Sequence, residues 1–123
     1  MPSALLFRTR QVVGEYDHDP NAFTQGLFCK SDPHGPGEER CSQFWESTGL
    51  YGETSVRLVD RVTGKVVKQQ SAIDKQYFGE GLVEYEDEML LLNWRTNQGL
   101  AFDKNTLDQT RSFQTPMKDG WVN

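Results

Sequence analysis

The feature that most constrains the fold is a repeat. Asp60-Arg61-Val62-Thr63 reappears as Asp103-Lys104-Asn105-Thr106, 43 residues later. Each copy follows a short apolar segment and precedes a more polar one. A second echo pairs Phe23-Thr24-Gln25-Gly26-Leu27 with Phe78-Gly79-Glu80-Gly81-Leu82, 55 residues apart. The longer spacing fits an insertion in the first unit, between Cys29 and Cys41. No amphipathic helical period is sustained over three turns, and short strand-like segments alternate with turn residues instead. The expected strands are Gln11–Tyr16, Gly26–Cys29, Gln43–Ser47, Ser55–Asp60, Lys65–Gln70, Gly81–Tyr85, Met89–Trp94, Gly99–Asp103 and Thr110–Gln114. Reversals at Arg61-Val62-Thr63-Gly64, Glu86-Asp87-Glu88 and Lys104-Asn105-Thr106 make an antiparallel meander. Four strands every ~40–45 residues is the period of β-propeller blades.

Propellers close with at least ~4 blades, and 123 residues hold fewer than three at this period. The chain is therefore expected to be a fragment, a truncated product or one member of an assembly. Open blade faces would expose apolar surface and favour self-association.

Composition narrows the function classes. The longest apolar runs, such as Met89-Leu90-Leu91-Leu92, fall far below the ~20 residues of a membrane-spanning helix, so no membrane partner is expected. A formal charge of −5 argues against nucleic acid, which selects a cationic surface. No secretory signal is legible, since Arg8 and Arg10 follow the short apolar stretch Ala4–Phe7 rather than precede it. Cys29 and Cys41 could close a loop in an oxidising compartment or stay free thiols in a reducing one. With His34 alone between them they do not make a zinc site. No metal and no cofactor is expected.

The motifs run in a recognisable order. His18-Asp19-Pro20-Asn21-Ala22-Phe23-Thr24-Gln25-Gly26-Leu27 comes first. Glu46-Ser47-Thr48-Gly49-Leu50-Tyr51-Gly52 and Ser55-Val56-Arg57 come next. Tyr77-Phe78-Gly79-Glu80-Gly81-Leu82, Trp94 and Met117-Lys118-Asp119-Gly120-Trp121 complete the set. This series resembles the plant-type and bacterial glutaminyl cyclotransferases over nearly the whole chain, as their N-terminal portion. Asp17 departs from the pattern, since a proline commonly precedes the His-Asp pair.

The resemblance implies an all-β, five-bladed propeller whose active site lies at one end of the central channel. On that scheme residues 10–16 form a strand closing the last blade. Residues 23–77 make the first blade, with a loop insertion near 29–41, and residues 78–121 the second blade and the start of the next. The family's later blades supply an Asn, a Trp and a Lys that have no counterpart here. Family members often enter the secretory route.

The implied reaction is cyclisation of N-terminal glutamine of a peptide to pyroglutamate with release of ammonia, an acyl transfer. It needs a neutral α-amine, a proton for the leaving nitrogen and stabilisation of an oxyanion. The resemblance places the catalytic carboxyl at Glu80, where Gly79 and Gly81 would allow close backbone approach. The bland alternative is an exposed loop carboxylate. Gln25 would bond the substrate's γ-carboxamide, or else serve as a structural amide. Phe23, Phe78, Trp94 and Trp121 would wall the glutamine side chain; aromatics in strands otherwise build cores. His18 reads as a loop-holding residue, and Lys118 and Asp119 as a solvated turn. Two further readings stand beside the enzyme: a non-catalytic propeller fragment acting as a binding module, and a generic scaffold with no special role for Gln25, Glu80 or Trp94.

Overall fold

The computed structural model describes residues 11, 12, 14–30 and 41–116. Eight strands account for its regular structure: β1 (Thr24–Lys30), β2 (Gln43–Thr48), β3 (Ser55–Asp60), β4 (Val66–Gln70), β5 (Gly79–Tyr85), β6 (Glu88–Asn93), β7 (Gln98–Asp103) and β8 (Gln109–Gln114). They form two four-stranded antiparallel meanders, β1-β2-β3-β4 and β5-β6-β7-β8.

The repeated Asp-x-x-Thr motif has a physical meaning. The Asp60 carboxylate accepts the amides of Val62 and Thr63, and that of Asp103 accepts the amides of Asn105 and Thr106. Both are turns closed by an acidic side chain on its own backbone. These bonds, led by the Thr63 and Thr106 amides, hold both carboxyls below the usual carboxylate range. The turns also share a left-handed residue 43 positions apart: Gly64 at φ 72° and Leu107 at φ 62°. A Cβ at Gly64 would stand 2.0 Å from the Asp17 carbonyl oxygen. Only glycine fits there, whereas Leu107 turns its side chain into the core, 1% exposed.

That core is the seam between the sheets. Trp45, Val56 and Leu58 of the first meet Leu82, Met89, Leu91, Leu100 and Phe102 of the second, and Ile73 and Leu107 belong to the same cluster. The strand register explains this, since Trp45 pairs with Leu58, Leu82 with Leu91, and Met89 with Phe102. Apolar residues at period two thus share one face of each sheet. The opposite face of the first sheet carries Phe44, Val59 and the exposed Leu27. There Tyr16, Asp17 and His18 line a cleft of about 180 Å³ with them. On the far side of the second sheet, Val83 and Tyr85 are exposed.

The cysteine pairing left open by the sequence is settled by the structure. Cys29 and Cys41 are joined by a disulfide with Cα atoms 5.4 Å apart. The described residues of Gln11–Tyr16 join neither sheet. A strand exists through a neighbour's ladder, and neither described sheet pairs with this segment; the Tyr16 ring instead carries the Arg61 guanidinium at 5.3 Å.

Candidate functional site

The inner strands β1 and β5 are side by side, so close that a Cβ on Gly26 would lie 3.0 Å from the Leu82 amide nitrogen. Each carries one extra residue against its partner. In β1 the register passes from Thr24↔Thr48 to Gly26↔Ser47, leaving Gln25 unpaired. In β5 it passes from Gly79↔Asn93 to Leu82↔Leu91, placing the extra residue in the Glu80-Gly81 step. Such bulges break the alternation of side chains and re-aim them. Gln25 and Glu80 therefore occupy matching irregularities in successive repeats.

Glu80 is 5% exposed. Its backbone carbonyl accepts the Ser47 hydroxyl at 2.6 Å, across the seam. Thr54 makes a second cross-sheet link: its hydroxyl oxygen accepts the Gly79 amide at 2.9 Å and stands 3.0 Å from the Tyr77 carbonyl and 3.1 Å from that of Leu50. The Asn93 side-chain oxygen accepts the Phe78 amide, and the Trp94 amide donates to the Phe78 carbonyl. The start of β5 is thus fixed on both sides by hydrogen bonds. Because Gly79 pairs with Asn93, the backbones of Glu80 and Trp94 stand at the same end of the second sheet.

At that end four rings meet. Phe78 lies 5.1 Å from Trp94, 5.3 Å from Tyr51 and 6.0 Å from Phe23, by ring centroids. Tyr51 also reaches Trp94, at 6.5 Å. The edge-on and tilted arrangements suit the ring quadrupoles. Phe23 and Tyr51 remain half-exposed, 47% and 58%, so the cluster is an open wall rather than a closed core. Gly49 makes room for it, since a Cβ there would lie 2.5 Å from Cε1 of Phe78 and 2.8 Å from the Gly79 carbonyl oxygen. The next residue, Leu50, has φ 76°, a conformation costly for a branched side chain. Tyr51 follows it on a turn that Gly52 completes at φ 81°.

A second polar layer sits behind β1. The carboxylate of Glu46 is fully buried. One of its oxygens takes the Thr24 hydroxyl at 2.6 Å and lies 2.7 Å from His18 Nε2. The other lies 3.8 Å from the Arg57 guanidinium, which also pairs with Asp19 at 3.0 Å. The Asn21 amide, and after it Arg57, holds the Asp19 carboxyl below its ordinary range. Glu46 thereby pins Thr24, the residue that precedes the bulge. Asp19, Phe23, Gly49 and Arg57 also line a cleft of about 150 Å³ beside the ring cluster.

Of the site residues expected from sequence, the structure brings Phe23, Phe78 and Trp94 together and sets Gln25 and Glu80 in the paired bulges. Trp121, with Lys118 and Asp119, lies outside the described residues. Sequence reasoning missed Tyr51 and Glu46. The signal for Tyr51 was an aromatic between Gly49 and Gly52; Glu46 gave none, because next to the core residue Trp45 it falls on the sheet face away from the seam.

Comparison with known proteins follows the same lines. A family profile described as glutamine cyclotransferase matches residues 4–122. The chain is 42% identical over 111 residues to the glutaminyl-peptide cyclotransferase of Arabidopsis thaliana, an alignment covering 90% of this chain and 32% of that protein. The crystal structure of Myxococcus xanthus glutaminyl cyclase superposes with a TM-score of 0.63 at 22% identity, over 88% of this chain and 40% of that one. The chain spans about a third of the length of its curated relative. The two sheets are accordingly blades of an all-β, propeller-type fold.

Proposed function

The chain belongs to the glutamine cyclotransferase family, and from that premise we propose that it carries the glutamine-binding wall and the acid–base group of a glutaminyl-peptide cyclotransferase. The observation that carries this reading is the pair of matching bulges, Gln25 and Glu80, beside one cluster of half-open rings.

In the proposed reaction the substrate's neutral α-amine attacks the carbon of its own γ-carboxamide, and the new C–N bond closes a five-membered lactam. Glu80 takes the proton lost by the attacking amine and returns it to the departing nitrogen. The C–NH₂ bond then breaks and ammonia leaves. A buried carboxyl suits such shuttling, because its surroundings exclude competing water. Gln25 donates its amide to the carboxamide oxygen as negative charge develops there. Phe23, Phe78 and Trp94 hold the side chain's methylenes, and Trp121 adds a further wall. The folded, near-attack shape of the substrate is what these surfaces select.

The substrate is a peptide or protein with N-terminal glutamine. Turnover depends on blades beyond the two described, with residues 10–16 closing the ring. The test uses a protein carrying the complete ring. Glu80→Gln should leave its melting unchanged while reducing ammonia release from a Gln-initiated peptide by about 10²–10⁴-fold. Full activity in that variant removes Glu80 from the mechanism. Robust Glu80-dependent turnover by the 123-residue chain alone would instead remove the need for further blades.

A further inference from the structure

Several described cations have carboxylate partners: Arg57 has Asp19 and Glu46, Lys104 has Glu84, and Arg111 has Glu88. Arg95 has none among the described residues, although it stands beside the ring cluster. Its guanidinium carbon lies over the Trp94 ring, 4.5 Å from the centroid. The backbone that places it there is left-handed, φ 61°, a conformation an arginine adopts only at a cost. A guanidinium held over an indole loses little further freedom on binding and keeps donors for a second partner. Next to it opens a groove of about 520 Å³, lined by Arg95, Thr96, Asn97, Thr115 and Pro116.

The charge is out of character with the chain, whose net balance is −5. A planar, exposed guanidinium with no carboxylate partner among the described residues matches one ligand chemistry best, a carboxylate bound through paired N–H donors. In an extended peptide the next residue begins about 3.5 Å further on, so a glutamine against Phe78 and Trp94 leaves its neighbour within reach of Arg95. We propose that Arg95 and this groove form an anion-reading subsite for the part of the substrate that follows the N-terminal glutamine. The carboxylate comes from an acidic second residue or from the free C-terminus of a dipeptide. This rests on the pocket reading given under Proposed function.

The test titrates the chain with three peptides: Gln-Ala amide, Gln-Ala with a free carboxylate, and Gln-Glu amide. Binding is followed by NMR at the Trp94 indole N–H. At about 0.05 M salt the anionic peptides should bind about three- to tenfold tighter than the neutral one, and the advantage should shrink at about 0.5 M. Arg95→Gln should abolish the advantage and leave Gln-Ala amide within about twofold of its original affinity. A gain for only one anionic peptide supports the subsite and identifies the source of the carboxylate. Equal affinity for all three, or an Arg95→Gln variant that weakens all three alike, overturns the subsite and leaves the pocket standing. No response of Trp94 to any peptide overturns both.

Discussion

Gly49→Ala is the smallest change that links the blade seam to the ring cluster. The added methyl would sit 2.5 Å from Cε1 of Phe78 and 2.8 Å from the Gly79 carbonyl oxygen. Ordinary contacts between carbon atoms lie near 3.5–4.0 Å, so about 1 Å must be found. The Gly79 side cannot yield easily, because the Gly79 amide is tied to Thr54 and the strand is paired to Asn93. The Phe78 ring must therefore give way, against Phe23, Tyr51 and Trp94. Overpacking of this kind costs about 1–3 kcal/mol. A urea titration of the chain should show a lower midpoint at an unchanged slope, together with a shifted Trp94 indole N–H resonance as the neighbouring ring moves. In a protein with the complete ring, a displacement of this size should reduce cyclisation by up to about 10²-fold. An unchanged midpoint with an unchanged Trp94 resonance would refute the account of why glycine stands at this position.

Two further outcomes follow from the repeated turn. Leu107→Ala should cost about 2–5 kcal/mol through the lost core contacts. Leu107→Gly should be no worse, because the left-handed backbone favours glycine and offsets its entropy; a glycine variant less stable by about 1 kcal/mol in urea would contradict this. The second concerns pH. Asp60 and Asp103 have folded pKa values below the reference 3.8, so their contribution is present above the unfolded pKa and is lost as pH falls through the folded one. The urea midpoint should drop below about pH 4 more steeply in the parent than in the Asp60→Asn, Asp103→Asn double variant, and equal slopes would remove these turns from the acid response.

Much of this fold was legible because local rules agree with it. The strands from Thr24 to Gln114 are short segments of strand-like composition, and their reversals are marked by Asp, Asn and Gly. The bulges were not legible as bulges: Gln25 and Glu80 stood out by their motifs, but an extra residue is a property of pairing, which one strand does not encode. Leu107 illustrates a tertiary override, since nothing in its identity announces a left-handed residue, and only the core that receives its side chain explains it. The burial of Glu46 was hidden for a similar reason, because its partners His18, Thr24 and Arg57 come from three separate segments. The cysteine pairing depends on Cα atoms being brought within 5.4 Å, which spacing alone left open.

The matching bulges have a consequence for how such a molecule can diversify. Glutamine and glutamate have nearly the same shape, and here they sit at matching register shifts in tandem copies of one unit. A duplicated blade therefore supplies a ready mounting whose backbone is already solved, and a single exchange of nitrogen for oxygen makes one copy neutral and the other ionisable. Division of labour between the copies then needs no new architecture. The copies differ elsewhere too, since only the first carries the Cys29–Cys41 link and its Gly64 stands where the second has Leu107.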